Sequence, residues 1–314
     1  MNDNSLASAG IPVFQGENFL DETLRFLRDQ DYSNLEIVVC DNASTDRTAD
    51  IVRRHASEDP RVRLIVNETN IGAAANYNKV FEVSHGKYFA WNAHDDHSSP
   101  GFFSEGVAAL DSDDDAVVAI PRSYRVDLDG ERLEEFPIPP DVHSPHPHVR
   151  FRAAARAHPE AIVFGLFRSE AVRRTRLHGK FSGSDRNFVA ELMLHGRAIM
   201  AGESEFYLRE HPGRSVRTFH RSGKGRYTHL RDAWYAPERK NRMVFPSWRR
   251  LREYLASVTR TRLGFADSVR CYVAVGRLLV DDRLKLTKQL GYDIVAAGFF
   301  IVRKLRGSGS QNDI

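Results

Sequence analysis

Short apolar runs rich in β-branched and aromatic residues alternate with amphipathic helical stretches from residue 9 to residue 91, and few architectures accept that order. Residues 9–14 (AGIPVF), 35–40 (LEIVVC), 62–66 (VRLIV) and the run Tyr88, Phe89, Ala90, Trp91 read as strands. Between the first two, residues 17–30 place Phe19, Leu20, Leu24 and Leu27 at helical spacing. A second helix, capped by Ser44, Thr45 or Asp46 in the DNASTD turn, runs through His55, and a third spans about 73–83 after a turn at Asn70, Ile71 and Gly72. Strands and helices joined this way imply an α/β fold: a doubly wound, mostly parallel sheet with right-handed crossovers.

After Pro100 the pattern predicts a helix to Leu110, a strand over 116–120 and a hairpin over 122–133 that turns at Asp129 and Gly130. Residues 136–149 hold five prolines and three histidines without a period and read as a loop. His143, His146 and His148 lack the thiolates or fixed spacing of a metal site. A strand over 161–167, a helix over 169–176, a polar loop (HGKFSGSDRN), a helix over 188–194 and a strand over 204–208 follow. Beyond Gly225 the chain reads as helical, with helices over 267–282 and 284–306, and residues 307–314 as a disordered tail.

At 314 residues and 41% apolar composition the chain can bury a full core. Its two cysteines, Cys40 and Cys271, lie far apart and encode neither a disulfide nor a zinc framework, as in a reducing compartment. The first residues carry acid where a secretion signal needs base, and no apolar run of about 18 residues occurs, so a cytoplasmic location is expected. The net charge of +3 conceals an asymmetry: residues 221–306 carry 20 Lys and Arg against 7 Asp and Glu, whereas residues 1–220 carry 25 against 34. Basic amphipathic helices suit the anionic inner face of a membrane, and equally a solvated bundle or a dimer interface. Trp234, Tyr235, Trp248 and Tyr254 follow helical spacing and read as packing, so no nucleic acid partner is expected.

The stretch from Lys87 to Pro100 (KYFAWNAHDDHSSP) carries the chemistry. Its strand stops at Asp95 and Asp96, bracketed by His94 and His97, and in an open α/β sheet ligands sit beyond the carboxyl ends of strands. Adjacent carboxylates repel, and a divalent cation or a proton relieves the repulsion. Such a cation can hold a diphosphate. A solvated turn ending at Pro100 is the other reading.

Four pieces in order, Ile11-Pro12-Val13-Phe14 with Glu17, Val39 to Asp46, Asn70 to Asn76, and Gly86-Lys87-Tyr88 leading to Asp95-Asp96 and Pro100, resemble the glycosyltransferase family 2 enzymes of the GT-A fold. The resemblance is strong over the first third and fainter over 160–215. It implies a GT-A domain over 1–220, with a nucleotide-sugar half (1–120) and an acceptor half (121–220), followed by the basic helical region 221–306. It also implies a nucleotide-diphosphate sugar donor, a UDP-sugar by preference, and a saccharide, lipid-linked or small-molecule acceptor. Pro12, Phe14 and Glu17 would line the base and ribose site, and Asp41 would hydrogen-bond the nucleobase. A carboxylate accepting from an imide N–H separates uracil from cytosine; an Asx turn or a helix cap is the plainer role for Asp41. Asn70, Gly72 and Asn76 would shape the ribose and donor-sugar side.

The family's metal motif is Asp-X-Asp followed by a further Asp, and here Ala93 stands where the first Asp belongs. The resemblance then leaves Asp95 as the direct ligand of Mn²⁺ or Mg²⁺, Asp96 behind it or facing the ribose, and His94 as a substitute. His211 resembles the family's late metal histidine, with a solvent-exposed loop histidine as its other reading, and Arg214 and Arg217 would meet the diphosphate or else stay solvated. An inverting transfer needs a general base. Asp185, in Ser184-Asp185-Arg186, matches that position, with a helix cap as its other role and Glu191 as second choice. The rival readings are a nucleotidyltransferase, whose Gly-rich basic loop FQGEN does not provide, and a degenerate nucleotide-sugar binder that has lost turnover with the acid at 93.

Overall fold

A computed structural model describes residues 5–157, 160–214, 234–239, 245–288, 290–291, 294–295 and 298. The tail 307–314, Arg217, the boundary at 220/221 and most of the expected helix beyond Lys288 lie outside the described residues.

The first half follows the expected order. Strands β1 (Ala7–Val13), β2 (Leu35–Asp41), β3 (Val62–Val66) and β4 (Tyr88–Trp91) alternate with helices α1 (Leu20–Arg28), α2 (Thr48–Glu58) and α3 (Ala73–Glu82). Helix α1 shows why the local sequence suffices. Leu20, Leu24 and Leu27 bury one face, Asp21 and Glu22 sit in the first turn, and Arg25 and Arg28 sit in the last, each sign at the favourable end of the dipole. β1 pairs parallel with both β2 and β4, and β2 with β3, so the loops after all four strands open on one edge.

The second half joins the same sheet. After β5 (His97–Ser98) and α4 (Phe102–Asp111) come β6 (Ala116–Val126) and β7 (Arg132–Glu135), a 3-10 turn (Pro140–His143), then α5 (Pro147–Arg156) and α6 (Glu160–Val163). β8 (Leu166–Arg168), α7 (Ser169–Arg173), α8 (Ser184–His195) and β9 (Arg197–Arg209) follow. The strand order is β3-β2-β1-β4-β8-β6-β9-β5, with β7 on β6. Its long ladders are parallel, including β6 with β9; the antiparallel pairs involving β8, β7 and β5 are short. The result is the expected α/β sheet, mixed and mostly parallel.

Three local expectations are corrected. Residues 161–167 are not one strand: α6 takes Glu160–Val163, and only Leu166–Arg168 pair in the sheet. A short apolar run buried on every side carries no period, so helix and strand are indistinguishable there. β6 runs from 116 through the expected hairpin arm as one strand, with a register shift around Pro121, where a residue without an N–H does least harm. The loop expected over 136–149 ends early, because Pro147 opens α5 at a first-turn position.

The basic C-terminal region contributes α9 (Pro246–Thr261) and α10 (Phe265–Asp281). Tyr254, Val258, Cys271, Val275 and Leu278 belong to the same buried core as the sheet. Among the described residues, no helix is long and apolar enough to cross a membrane.

Candidate functional site at the carboxyl edge of the sheet

The loop after β4 is fixed before it presents any chemistry. Thr23 Oγ1 on α1 donates to the carbonyls of His94 (2.9 Å) and Asp96 (3.1 Å), and Asn92 Nδ2 donates to that of Ala93 (2.8 Å). β5 then runs antiparallel to β9, pairing His97 with Tyr207 and Ser98 with Phe206. The Arg209 amide donates to Asp96 Oδ1 at 2.9 Å, and His211 Nε2 donates to Asp95 Oδ2 at 2.8 Å. Residues 116 apart thus meet in one buried pair.

The two carboxyls differ electrostatically. Burial alone would raise Asp95, but the His211 hydrogen bond and the electrostatic influence of His94, His211 and Arg214 outweigh it and hold Asp95 at about 2. Asp96 is pushed far above the usual carboxylate range by burial and by the negative charge of Asp95. His94 Nδ1 lies 3.8 Å from Asp95 Oδ1, and the His211 ring rests on Phe19, centroids 4.5 Å apart. Arg214 lies near Glu160 (3.7 Å) and Glu210 (3.5 Å). Among the described residues, no group of three or more His, Cys, Asp and Glu side chains could hold a metal ion. An anionic carboxylate beside an imidazole fits a hard divalent cation only if further oxygens come from a second source, as substrate phosphates do for Mg²⁺.

The loops after β1, β2 and β3 close the other side of the edge. Asp41, at the end of β2, is fully buried; Oδ1 accepts the Ser44 amide at 3.0 Å, while Oδ2 has no partner among the described residues. Beside it, Asn42, Asn67, Asn70 and Asn76 form a net. Asn67 Nδ2 donates to Asn42 Oδ1 and Asn76 Oδ1, Asn42 Nδ2 to Asn70 Oδ1, and Asn76 Nδ2 to the Cys40 carbonyl, all at 2.8–3.0 Å. Both ends of the Asn76 amide are therefore used inside the protein. Gly72 has φ +84°, and a Cβ there would lie 2.5 Å from Pro237 Cδ and 2.7 Å from the Tyr235 carbonyl oxygen. Glu17 Oε2 accepts the Arg47 amide (3.2 Å), tying the first loop to the second, while Phe14 is exposed and Pro12 lies in β1 beside Cys40. Gln15 and Ala43, in the two loops, both take positive φ, a cost that element ends near ligands often carry.

Asp185 sits in the first turn of α8, half-buried; the cap position is Gly183 in a left-handed conformation, so Asp185 is not the cap. Its Oδ1 accepts the Arg186 amide. Glu191, the second choice for a base, is 2% exposed and receives Arg260 Nε and Nη2 at 2.9 Å each, which marks it as a structural ion pair. Two residues were not foreseen. Burial, with the charges of Asp95, Asp96 and Asp185, pushes the Tyr77 phenol well up, so Tyr77 lies within electrostatic reach of both carboxylate groups. His178 packs against Tyr77, Trp91 and Phe188. Neither carries a motif; Tyr77 directly follows Asn76, the one local signal.

Residues 8–175 match the model of the glycosyl transferase family 2. A glycosyltransferase candidate of Bacillus subtilis, EpsE, is 34% identical over 112 residues, 35% of this chain and 40% of that protein. The uncharacterized glycosyltransferase YibD of Escherichia coli is 24% identical over 231 residues, 71% of this chain and 66% of that protein. The chain thus spans less than two thirds of either relative. Among solved structures, S. aureus TarS 1–349 in complex with UDP-GlcNAc has a TM-score of 0.56 at 15% identity, covering 98% of this chain and 93% of that one. The mannosyltransferase PcManGT of Pyrobaculum calidifontis, in complex with GDP-Man and Mn²⁺, has 0.50 at 20%, covering 95% and 87%. At these identities the structural likeness establishes the shared fold. With more than half its length matching the family model, the chain belongs to glycosyltransferase family 2.

Proposed function

We propose that the chain transfers a sugar from a nucleotide-diphosphate donor, a UDP-sugar by preference, to an acceptor hydroxyl with inversion at the anomeric carbon. The observation that carries this reading is Asp41: a fully buried carboxylate whose Oδ2 lacks a partner among the described residues, at the carboxyl edge of the sheet, where open α/β sheets take ligands. An imide N–H of uracil satisfies that oxygen. Pro12, Phe14, Glu17 and the net that includes Asn70, Gly72 and Asn76 shape the surrounding wall. UDP-GlcNAc and UDP in the TarS structures and GDP-Man in the mannosyltransferase support a nucleotide-sugar donor.

Asp95 and His211 would hold a divalent cation, Mn²⁺ or Mg²⁺. Such a cation would supply positive charge to the leaving diphosphate. Asp96, its carboxyl pushed up by burial and by the charge of Asp95, lies behind Asp95 as a hydrogen-bonding support, and Arg214 adds positive charge to the phosphate side. His211, hydrogen-bonded to Asp95, supplies a donor in a motif whose first acid is missing. Asp185 takes the acceptor hydroxyl proton as general base. α10 presents Phe265, Val269, Val273 and Val280 to solvent with Arg270 and Arg277 near by, which supports docking on an anionic membrane.

The test is calorimetric titration of the full chain with UDP, GDP and dTDP, each with and without Mn²⁺, on wild type and Asp95→Ala. Metal-dependent binding of UDP that vanishes in the variant is expected. Failure of every nucleotide to bind in the presence of Mn²⁺ would overturn the reading. Asp185→Asn should retain nucleotide affinity and lose turnover by a factor of about 10²–10⁴.

A further inference from the structure

A cleft of about 570 Å³ opens between α3, residues 176–180 and the start of α9, within the size range of small-molecule sites. It begins at Ile71, beside the Gly72 turn, and continues along α3 to Val83. Four cations line it, Lys79, Arg176, Lys180 and Arg249, against one acid, Glu82. Two of the four have charged partners: Arg176 pairs with Glu253, and Lys180 Nζ lies 2.7 Å from Glu238 Oε1. The other two do not. Lys79 Nζ donates to the neutral Asn67 amide oxygen at 2.6 Å, and the Arg249 guanidinium lies over the Phe181 ring at 4.9 Å. Neither pairs with a carboxylate among the described residues.

His178 also lines this cleft and links it to the reaction side. Its backbone is clasped by Asn78 on α3, amide to Oδ1 at 2.9 Å and carbonyl to Nδ2 at 3.0 Å. Its ring is buried against Trp91 at 5.1 Å, Nε2 has no partner among the described residues, and the charge of Asp185 acts on it. Cations thus lie in a cleft whose inner residue neighbours the proposed base.

We infer that this cleft binds the phosphate of a phosphate-bearing acceptor, with Lys79 and Arg249 as its uncompensated charges. The inference rests on the proposed transferase reading, because the anion is assigned to the acceptor. Phosphate oxygens match both residues: Arg offers a planar fork of donors and Lys a compact charge. The phosphate comes from a phosphodiester polymer or from a prenyl-linked acceptor, and the two differ in whether an apolar chain accompanies it.

The test titrates the full chain with a glycerol-phosphate oligomer and, separately, with geranyl phosphate, at low salt. Wild type, Arg249→Glu, Lys79→Gln and Glu82→Lys are compared. Each loss of a lining cation should weaken the favoured probe about tenfold, and Glu82→Lys should tighten it, a gain that misfolding cannot mimic. Raised NaCl should weaken every titration. Preference for the oligomer identifies a polymeric acceptor, and preference for geranyl phosphate identifies a lipid-linked one. Asp95→Ala should leave probe affinity unchanged, which separates the cleft from the donor site. Nucleotide titration of the same samples reports independently on the transferase reading. Failure of wild type to bind either probe, or charge variants within twofold of wild type, would overturn the inference.

Discussion

Arg260→Ala should destabilise the protein by about 3 kcal/mol while leaving the donor site intact. Glu191 is 2% exposed on α8, and Arg260 reaches it from α9 with two hydrogen bonds of 2.9 Å. Removing one member of a buried pair costs about 3–5 kcal/mol, because the other charge stays buried without its partner. The lower end applies here. The Arg260 side chain is 35% exposed, so water can enter its place, and the Arg176 amide still donates weakly to Glu191 at 3.4 Å. At about 2 °C per kcal/mol for a chain of this size, the thermal midpoint should fall by roughly 6 °C. Urea unfolding of wild type, Arg260→Ala, Glu191→Gln and the double variant supplies the cycle, with a coupling of about 1–3 kcal/mol between neighbours in one network. Glu191→Gln, assayed as folded protein, should keep its turnover. An Arg260→Ala variant within about 0.5 kcal/mol of wild type would refute the energetic argument. Turnover lost in folded Glu191→Gln but retained in Asp185→Asn would return Glu191 to the role of base.

Gly72→Ala should cost about 3 kcal/mol, since it adds a clash with Pro237 and Tyr235 to an unfavourable φ of +84°. Gly130→Ala shares the φ, at +85°, but meets open space and should cost only about 1 kcal/mol; equal urea midpoints for the two variants would contradict this. Burial holds His178 at about 4, against 6.5 for an exposed imidazole. A depressed histidine favours the neutral folded form, so its contribution is complete above about pH 6.5 and is lost as pH falls from there towards 4. His178→Phe, which keeps an aromatic ring against Tyr77, Trp91 and Phe188, should flatten that acid limb in urea midpoints at pH 7.5, 5.5 and 4.5; parallel limbs would disprove the assignment.

What the sequence discloses and what it withholds divide along one physical line. Each of the first four strands is short, apolar and closed by a polar turn, so periodicity locates β1 to β4, with Asp41 closing β2 and Asp95 in the loop after β4. These signals are local. β9 was foreseen only as residues 204–208 because its first half, RAIMAGE, enters the ladder on β6 through a register shift rather than by clean alternation. The Glu191–Arg260 pair, 69 residues apart, leaves no local trace, and Glu191 is indistinguishable in sequence from a catalytic acid on the same helix.

The site depends on strand neighbourhood in the same way. Ala93 in a metal motif reads as a defect while the strand is considered alone. Pairing β5 antiparallel with β9 brings His211 within 2.8 Å of Asp95. A two-residue ladder sets this approach, and the Arg209 amide, bound to Asp96 Oδ1, holds it in register. A substitution that slips β5 against β9 by one residue would turn alternate side chains to the opposite face and withdraw His211 from Asp95, with every proposed metal ligand still present. The integrity of the Asp95–His211 pair therefore rests on a strand register that no motif around Asp95 records.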